Sequence, residues 1–188
     1  MTYLKSSWRR IAANCRQLSK NRTAILLTLV GAVLALSARP VITDALRQKM
    51  HFALDVQVEE NRCLPHTFYF VRLGRPEGGL TRGMYVEYIA NGGLMGHALD
   101  GQRIIKIVAA LPGDRVRVDD SGISINGKFW GPLGLSSRLD VSGLRMQGDA
   151  TVPGGKALLL GTMPGSYDGR YWGFLDQDQI IGQAWPLF

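Results

Sequence analysis

The stretch from Gln102 to Ala110 (QRIIKIVAA) is apolar almost throughout and runs directly into Leu111-Pro112-Gly113-Asp114. A short apolar run stopped by a Pro-Gly turn reads as a β-strand. Its neighbours read the same way. His66 to Leu73 is rich in aromatic and β-branched residues, and Gly83 to Ala90 follows the loop Gly74 to Gly79. Arg115 to Val118 alternates, and Asp120-Ser121-Gly122 turns into Ile123 to Ile125. Asn126-Gly127 then gives a strong hairpin signal before Lys128 to Trp130. Gly131 to Thr151 is polar, Gly-rich and without period, which reads as a loop or lid; Lys156 to Gly161 and Gln179 to Leu187 close the chain as strands. With 23 glycines for turns, these runs predict one mostly-β domain.

Ahead of this domain, Thr23 to Ala38 carries no charge and is closed by Arg22 and Arg39. Sixteen positions is short of the roughly 20 that cross a bilayer. A snorkelling Arg39 extends the run through Ile42, giving a transmembrane anchor over 23–42. The competing reading is a cleaved secretory signal, although Leu36-Ser37-Ala38 puts a large residue at the −3 position. Residues 1–22 hold six basic and no acidic side chains, whereas the other 166 hold sixteen basic and fifteen acidic. The excess charge therefore sits beside the apolar run, where it sets topology, and the nearly neutral remainder argues against a nucleic-acid partner. The expected order is a basic cytoplasmic segment (1–22), the anchor (23–42), a helical or mixed linker (43–60) and an outward-facing domain (61–188). Exposed apolar side chains such as Met84, Leu94, Met95 or Phe129 are candidates for resting on lipid.

Lys106 is the first candidate for chemistry. In an apolar strand it either points to solvent or is buried, and burial disfavours the ammonium form of a lysine. A neutral amine is a usable general base. The two cysteines, Cys15 and Cys63, flank the apolar run, so across a membrane they could not pair. Neither zinc spacing nor a disulfide framework is present, and no metal or cofactor is expected.

Lys106 followed four residues later by Leu-Pro-Gly-Asp resembles the lysine box of type I signal peptidases. Gly161 to Phe174 (GTMPGSYDGRYWGF) resembles the C-terminal box of that family, with a loop about two residues shorter. The resemblance implies a signal-peptidase-like domain of antiparallel sheets behind one N-terminal transmembrane helix. It also implies that Ser166 orients the Lys106 amine and that Asp168 and Arg170 form a supporting ion pair. For the last two, a plain surface pair is the competing reading.

The family's nucleophile is a serine followed closely by proline. Here Asn61-Arg62-Cys63-Leu64-Pro65 stands in that place, and no serine occurs between Ser37 and Ser121. The proline two residues on resembles the conjugative-transfer (TraF-type) branch. Cys63 is therefore either the nucleophile or a small buried cysteine in a chain that has lost it. The Cys63 N–H and Asn61 would then form the oxyanion hole. His66 and His97 offer a rival Cys/His site, but three residues along a strand His66 faces away from Cys63, and His97 has no partner motif. The implied activity is cleavage of the leader of an exported protein, a conjugative pilin precursor, at the bacterial inner membrane with the domain in the periplasm. The other function left open is an inactive periplasmic assembly factor using the same peptide-binding fold.

Overall fold

The computed structural model describes residues 24, 26–34, 36–37, 39, 43–44, 46–55, 62–91, 99–135 and 147–188. The chain divides into two units, Met1–Gln48 and Lys49–Phe188. In the first, nearly every described position from 24 to 47 is helical. Leu26, Leu27, Leu29, Val30, Val33, Leu34 and Leu36 are all exposed. The hydroxyls of Thr28 and Ser37 donate to their own helix, to the carbonyls of Ala24 (2.8 Å) and Val33 (2.7 Å). Among the described residues no helix is long and apolar enough to cross a membrane. Positions 23, 25, 35, 38 and 40–42 of the expected anchor lie outside the described residues, as do residues 1–22 with Cys15.

The second unit is all antiparallel. Its larger sheet has the order β1-β2-β11-β3-β4-β9-β10, built from Met50–Leu54, Phe68–Leu73, Ile180–Pro186, Tyr85–Ile89, Arg103–Ala110, Lys156–Leu160 and Leu175–Asp176. The smaller sheet runs β7-β6-β5-β8, from Lys128–Gly131, Gly122–Ile125, Arg115–Asp119 and Gly148–Thr151. Two elements depart from expectation. Residues 50–54 of the stretch read as a linker form β1, paired along its whole length with β2. Residues 148–151 of the stretch read as a loop form β8, because pairing with β5 supplies the hydrogen bonds that the sequence GDAT does not advertise. Residues 136–146 of that stretch lie outside the described residues.

β4 and β9 form the middle of the domain. Val108, Ala110, Leu158, Leu159 and Leu160 are fully buried, since one cluster covers one face and a second covers the other. β4 pairs with β3 along Arg103–Ile107 but with β9 only from Ile107 onward. Ala90 N–H donates to the Gln102 carbonyl and Val108 N–H to the Met84 carbonyl. The even-numbered residues of β4 thus bond towards β3, and by antiparallel alternation Ile105 presents its N–H and C=O to the opposite rim. Among the described residues that rim has no ladder partner before Ile107.

β1, β2 and β11 carry an aromatic outer face. Phe52, Phe70 and Trp185 stand directly opposite one another across the three strands. Their rings lie 5.7 Å and 5.9 Å apart, and Phe68 meets Phe188 at 5.3 Å. Phe52 and Phe188 are about three-quarters exposed. Of the side chains proposed for lipid, Phe129 is exposed and Met84 packs against the core instead. Leu94 and Met95 lie outside the described residues.

The Leu-Pro-Gly-Asp turn is fixed by its last residue. Gly113 takes a positive φ of 90°, open to glycine without strain. The Asp114 carboxylate accepts from Arg82 Nε and Nη2 (both 2.7 Å), from Leu111 N–H (2.8 Å) and from Asn126 Nδ2 (2.7 Å). Asn126 is the first residue of the Asn-Gly hairpin, so two predicted turns are tied together. The Arg82 guanidinium above all, then the Leu111 N–H and Asn126 amide, hold the Asp114 carboxyl well below the usual carboxylate range against the opposing effect of burial. A depressed folded-state value stabilises the fold above the unfolded value near 4, and that contribution is lost as pH falls through the folded one. Asp114→Asn should therefore flatten the acid limb of a melting-temperature profile below about pH 4. At pH 7 it should cost about 2 kcal/mol.

Candidate active site

β4 carries Lys106 into the core. The residue is 0% exposed and faces the cluster that contains Val86, Tyr88, Val108 and Leu159. Of the two orientations left open by the sequence, the buried one is observed. Its Nζ donates to Ser166 Oγ at 3.0 Å. Among the described residues it has no carboxylate partner. Lysines are almost never fully buried without one, so the burial of this amine is unusual for a residue that only packs.

Ser166 is likewise fully buried, in the loop after β9, with its N–H donating to the Met163 carbonyl at 3.1 Å. The loop is held against the segment before β2. The Cys63 carbonyl accepts from Thr162 N–H (3.0 Å) and Met163 N–H (3.3 Å). Gly161 is where these chains converge. A Cβ there would run into the Cys63 carbonyl and the Ser166 side chain. We expect Gly161→Ala to cost about 2–3 kcal/mol through overpacking and to disturb the Lys106–Ser166 contact, read out as a lower melting temperature.

Asp168 and Arg170 are both buried, at 0% and 1% exposure, so they are no surface pair. Asp168 Oδ2 accepts from Gly161 N–H at 2.7 Å, and Oδ1 from Arg170 N–H at 3.1 Å, capping the single helical turn Gly169–Trp172. The Arg170 guanidinium lies 3.3 Å from Asp168 and donates to the Gly161 carbonyl (2.6 Å) and the Pro132 carbonyl (3.1 Å). Both charges therefore serve one end, fixing Gly161 and the loop that bears Ser166.

Cys63 is half-buried and packs with its neighbour Leu64 in the cluster containing Tyr69, Val71 and Ile107. Cys63 and Lys106 line the same cleft of about 420 Å³, together with Leu64, Ile105, Gly165 and Tyr167. Tyr88, on the Lys106 face of β3, has its phenol pushed up by burial and then by the nearby Cys63 and Asp168. His66 is not among the cleft residues and instead meets the rings of Tyr69 and Tyr85 edge-on, at 6.3 and 6.2 Å. Asn61 and His97 lie outside the described residues. Among the described residues no group of His, Cys, Asp and Glu is arranged to hold a metal.

The cleft also holds Glu87, a residue the sequence reasoning passed over. It is 1% exposed, in the middle of the apolar strand Tyr85–Ile89. The signal that flagged Lys106, a charge inside an apolar strand, was present there too.

The chain is similar in sequence to known proteins. The chain is 33% identical over 88 residues to a probable signal peptidase I-2 of Synechocystis, covering 44% of this chain and 38% of that protein. It is 29% identical over 134 residues to signal peptidase IB of Staphylococcus aureus, covering 61% of this chain and 66% of that protein. The chain thus spans less than two thirds of the length of either. A crystal structure of a signal peptidase I from Enterococcus faecalis is matched over 58% of this chain and 98% of that one, with 25% identity and a TM-score of 0.39. The profile described as "Signal peptidase, peptidase S26" matches residues 93–188, which include Lys106, Ser166, Asp168 and Arg170. The chain belongs to the signal peptidase, peptidase S26, family.

Proposed function

We propose that this protein is a membrane-anchored endopeptidase that removes the leader of an exported protein, with Cys63 as nucleophile and Lys106 as general base. The observation that carries the proposal is a fully buried lysine, bonded to Ser166, opening on the same cleft as the one thiol among the described residues. In this mechanism the Lys106 amine takes the Cys63 thiol proton and the sulfur attacks the scissile carbonyl. The Cys63 N–H and Asn61 hold the resulting oxyanion. Lys106 returns the proton to the leaving amine, leaving a thioester on Cys63. It then takes a proton from water, which attacks the thioester, releases the new carboxyl end and restores the thiol. Ser166 keeps the amine aimed, and Asp168 and Arg170 keep Ser166 in place.

The substrate strand pairs with the rim of β4 at Ile105, where an extended peptide finds an N–H and a C=O beside the base. The apolar run 23–42 serves as the anchor, and the aromatic face of Phe52, Phe70, Trp185 and Phe188 rests on lipid. Both lie in the bacterial inner membrane, with the domain in the periplasm. The Cys63-Leu64-Pro65 spacing favours a conjugative pilin precursor as substrate, within a type IV secretion or conjugation system. A thiol in place of serine favours the second reading, a non-catalytic assembly factor that holds the same peptide.

Precursor processing separates the two. Cys63→Ala should abolish cleavage, and Cys63→Ser should retain a measurable part of it, because a neutral amine can also activate a hydroxyl. Normal processing by Cys63→Ala would leave only the assembly role.

A further inference from the structure

Trp130 lies outside both boxes through which the chain resembles its family, yet its indole reaches the loop that bears Ser166. Across the β6–β7 hairpin, Ser124 stands opposite Phe129 and Ile123 opposite Gly131, so Trp130 is an extra residue on β7. A bulge of this kind re-aims a side chain, commonly beside an active site. Phe129 faces solvent, whereas Trp130 packs against both the cluster of Val116, Ile123 and Leu160 and the cluster of Leu64 and Ile107. Its Nε1 donates to the Gly161 carbonyl at 3.1 Å. A carbonyl oxygen has two lone pairs, and Arg170 Nη2 donates to the same oxygen at 2.6 Å. The Gly161 N–H goes to Asp168. Gly161 is thus held by three side chains, and of these Trp130 alone carries no charge.

The residues after Trp130 follow it onto the same loop. The Pro132 carbonyl accepts from Arg170 Nη1 at 3.1 Å, and the Leu135 N–H donates to the Tyr171 phenol at 2.9 Å. Gly134 packs so closely on Pro164 that a Cβ there would run into its carbonyl. Residues 130–135 therefore clasp the loop 161–171 at four points. Beneath the clasp lie the groups of the proposed reaction. Gly161 abuts the Cys63 carbonyl and the Ser166 side chain, Thr162 N–H donates to that same carbonyl, and Ser166 Oγ receives the Lys106 amine at 3.0 Å. We propose that Trp130 is a positioning residue for the peptidase reaction: its indole N–H fixes Gly161, and through Gly161 the Ser166 hydroxyl against the Lys106 amine. The proposal rests on the peptidase reading above. It adds that the smaller sheet, whose strands supply no residue to the cleft among the described residues, takes part in the reaction through one neutral hydrogen bond. A tryptophan that merely filled space between two clusters would leave that contact unchanged when replaced by phenylalanine.

Trp130→Phe keeps an aromatic ring and removes the N–H, while Arg170 still satisfies the Gly161 carbonyl, so the fold should survive. Two measurements are made on the full-length protein in detergent. Hydrogen–deuterium exchange, read by mass spectrometry on peptides covering residues 160–172, follows the loop without any turnover. Exchange there should quicken by about tenfold in Trp130→Phe, the range for one lost hydrogen bond. It should keep the wild-type rate in Lys128→Ala, an exposed residue of the same strand. Initial rates on a precursor whose leader ends in Ala-x-Ala give kcat and KM. In Trp130→Phe, kcat should fall by about ten- to hundredfold with KM unchanged, the pattern for reacting groups held slightly out of place. Gly134→Ala, which pushes the loop from the Pro164 side, should produce the same pair of changes and serves if the phenylalanine variant fails to fold. Wild-type exchange in the loop of both variants would overturn the proposal, as would a loosened loop with unchanged kcat, or a change in KM alone. Failure of the peptidase reading looks different. Quickened exchange in Trp130→Phe with no cleavage even by the wild-type protein keeps the tie between Trp130 and the loop and sinks the chemistry; cleavage by the wild type at a rate Trp130→Phe does not alter does the reverse.

Discussion

Lys106→Met should leave a folded protein whose precursor cleavage is slower by about four orders of magnitude. On the proposed mechanism the substitution removes the general base, whose catalysis accounts for up to about 10⁴-fold. The fold should not suffer. Lys106 is surrounded by Val86, Tyr88 and Val108, and among the described residues no carboxylate depends on it. An unbranched apolar side chain of similar length fills the same space without the cost of burying a polar head, and such replacements are often neutral or stabilising. The paired measurement is cleavage of a leader-bearing precursor and the melting temperature of the same preparation. A variant that cleaves normally would remove Lys106 from the mechanism. A variant that unfolds would show that the amine holds the core together.

Asp168→Ala should show the opposite pattern, with stability lost first. The carboxylate is fully buried and faces Arg170, which is also buried. Its removal leaves the guanidinium without its counter-charge, the Gly161 N–H without its acceptor and the helical turn without its cap. Breaking one side of a buried ion pair costs about 3–5 kcal/mol. For a domain of this size that corresponds to a fall in melting temperature of about 10 °C. Activity should fall with it, because Ser166 hangs on the same loop. Asp168→Asn keeps an acceptor for Gly161 and should recover part of the stability. If Asp168→Ala melts with the wild type, the pair carries none of the load assigned to it.

The sequence made the order of strands from β2 to β7 readable because each is bounded by a turn with its own chemistry. Asn126-Gly127 is one case: Asn126 takes a φ of 51° and Gly127 one of 79°, as the tight hairpin requires. β1 escaped notice because MHFAL puts apolar residues on both its faces and follows a helical stretch, so nothing local separates it from a linker. β8 escaped because Gly148 to Thr151 has little apolar character of its own. Whether Lys106 was buried could not be decided from IIKIV, since a strand covered on one face and a strand covered on both look alike at that length. The decision lies in β9 and the loop after it, fifty residues away, which wall in the lysine and bring Ser166 to it. Glu87 needed the same long-range information, because its partners come from β1 and β4.

A strand that runs half zipped and half bare is indifferent to what it catches. On the proposed binding mode, the main-chain groups at Ile105 would greet any straight run of residues alike, whether leader, loop or a stray tail of another copy. On that mode fidelity would come from shape and charge beyond the main chain, and changing only those lining groups would redirect the cleft to new peptides while Cys63 and Lys106 stayed as they are.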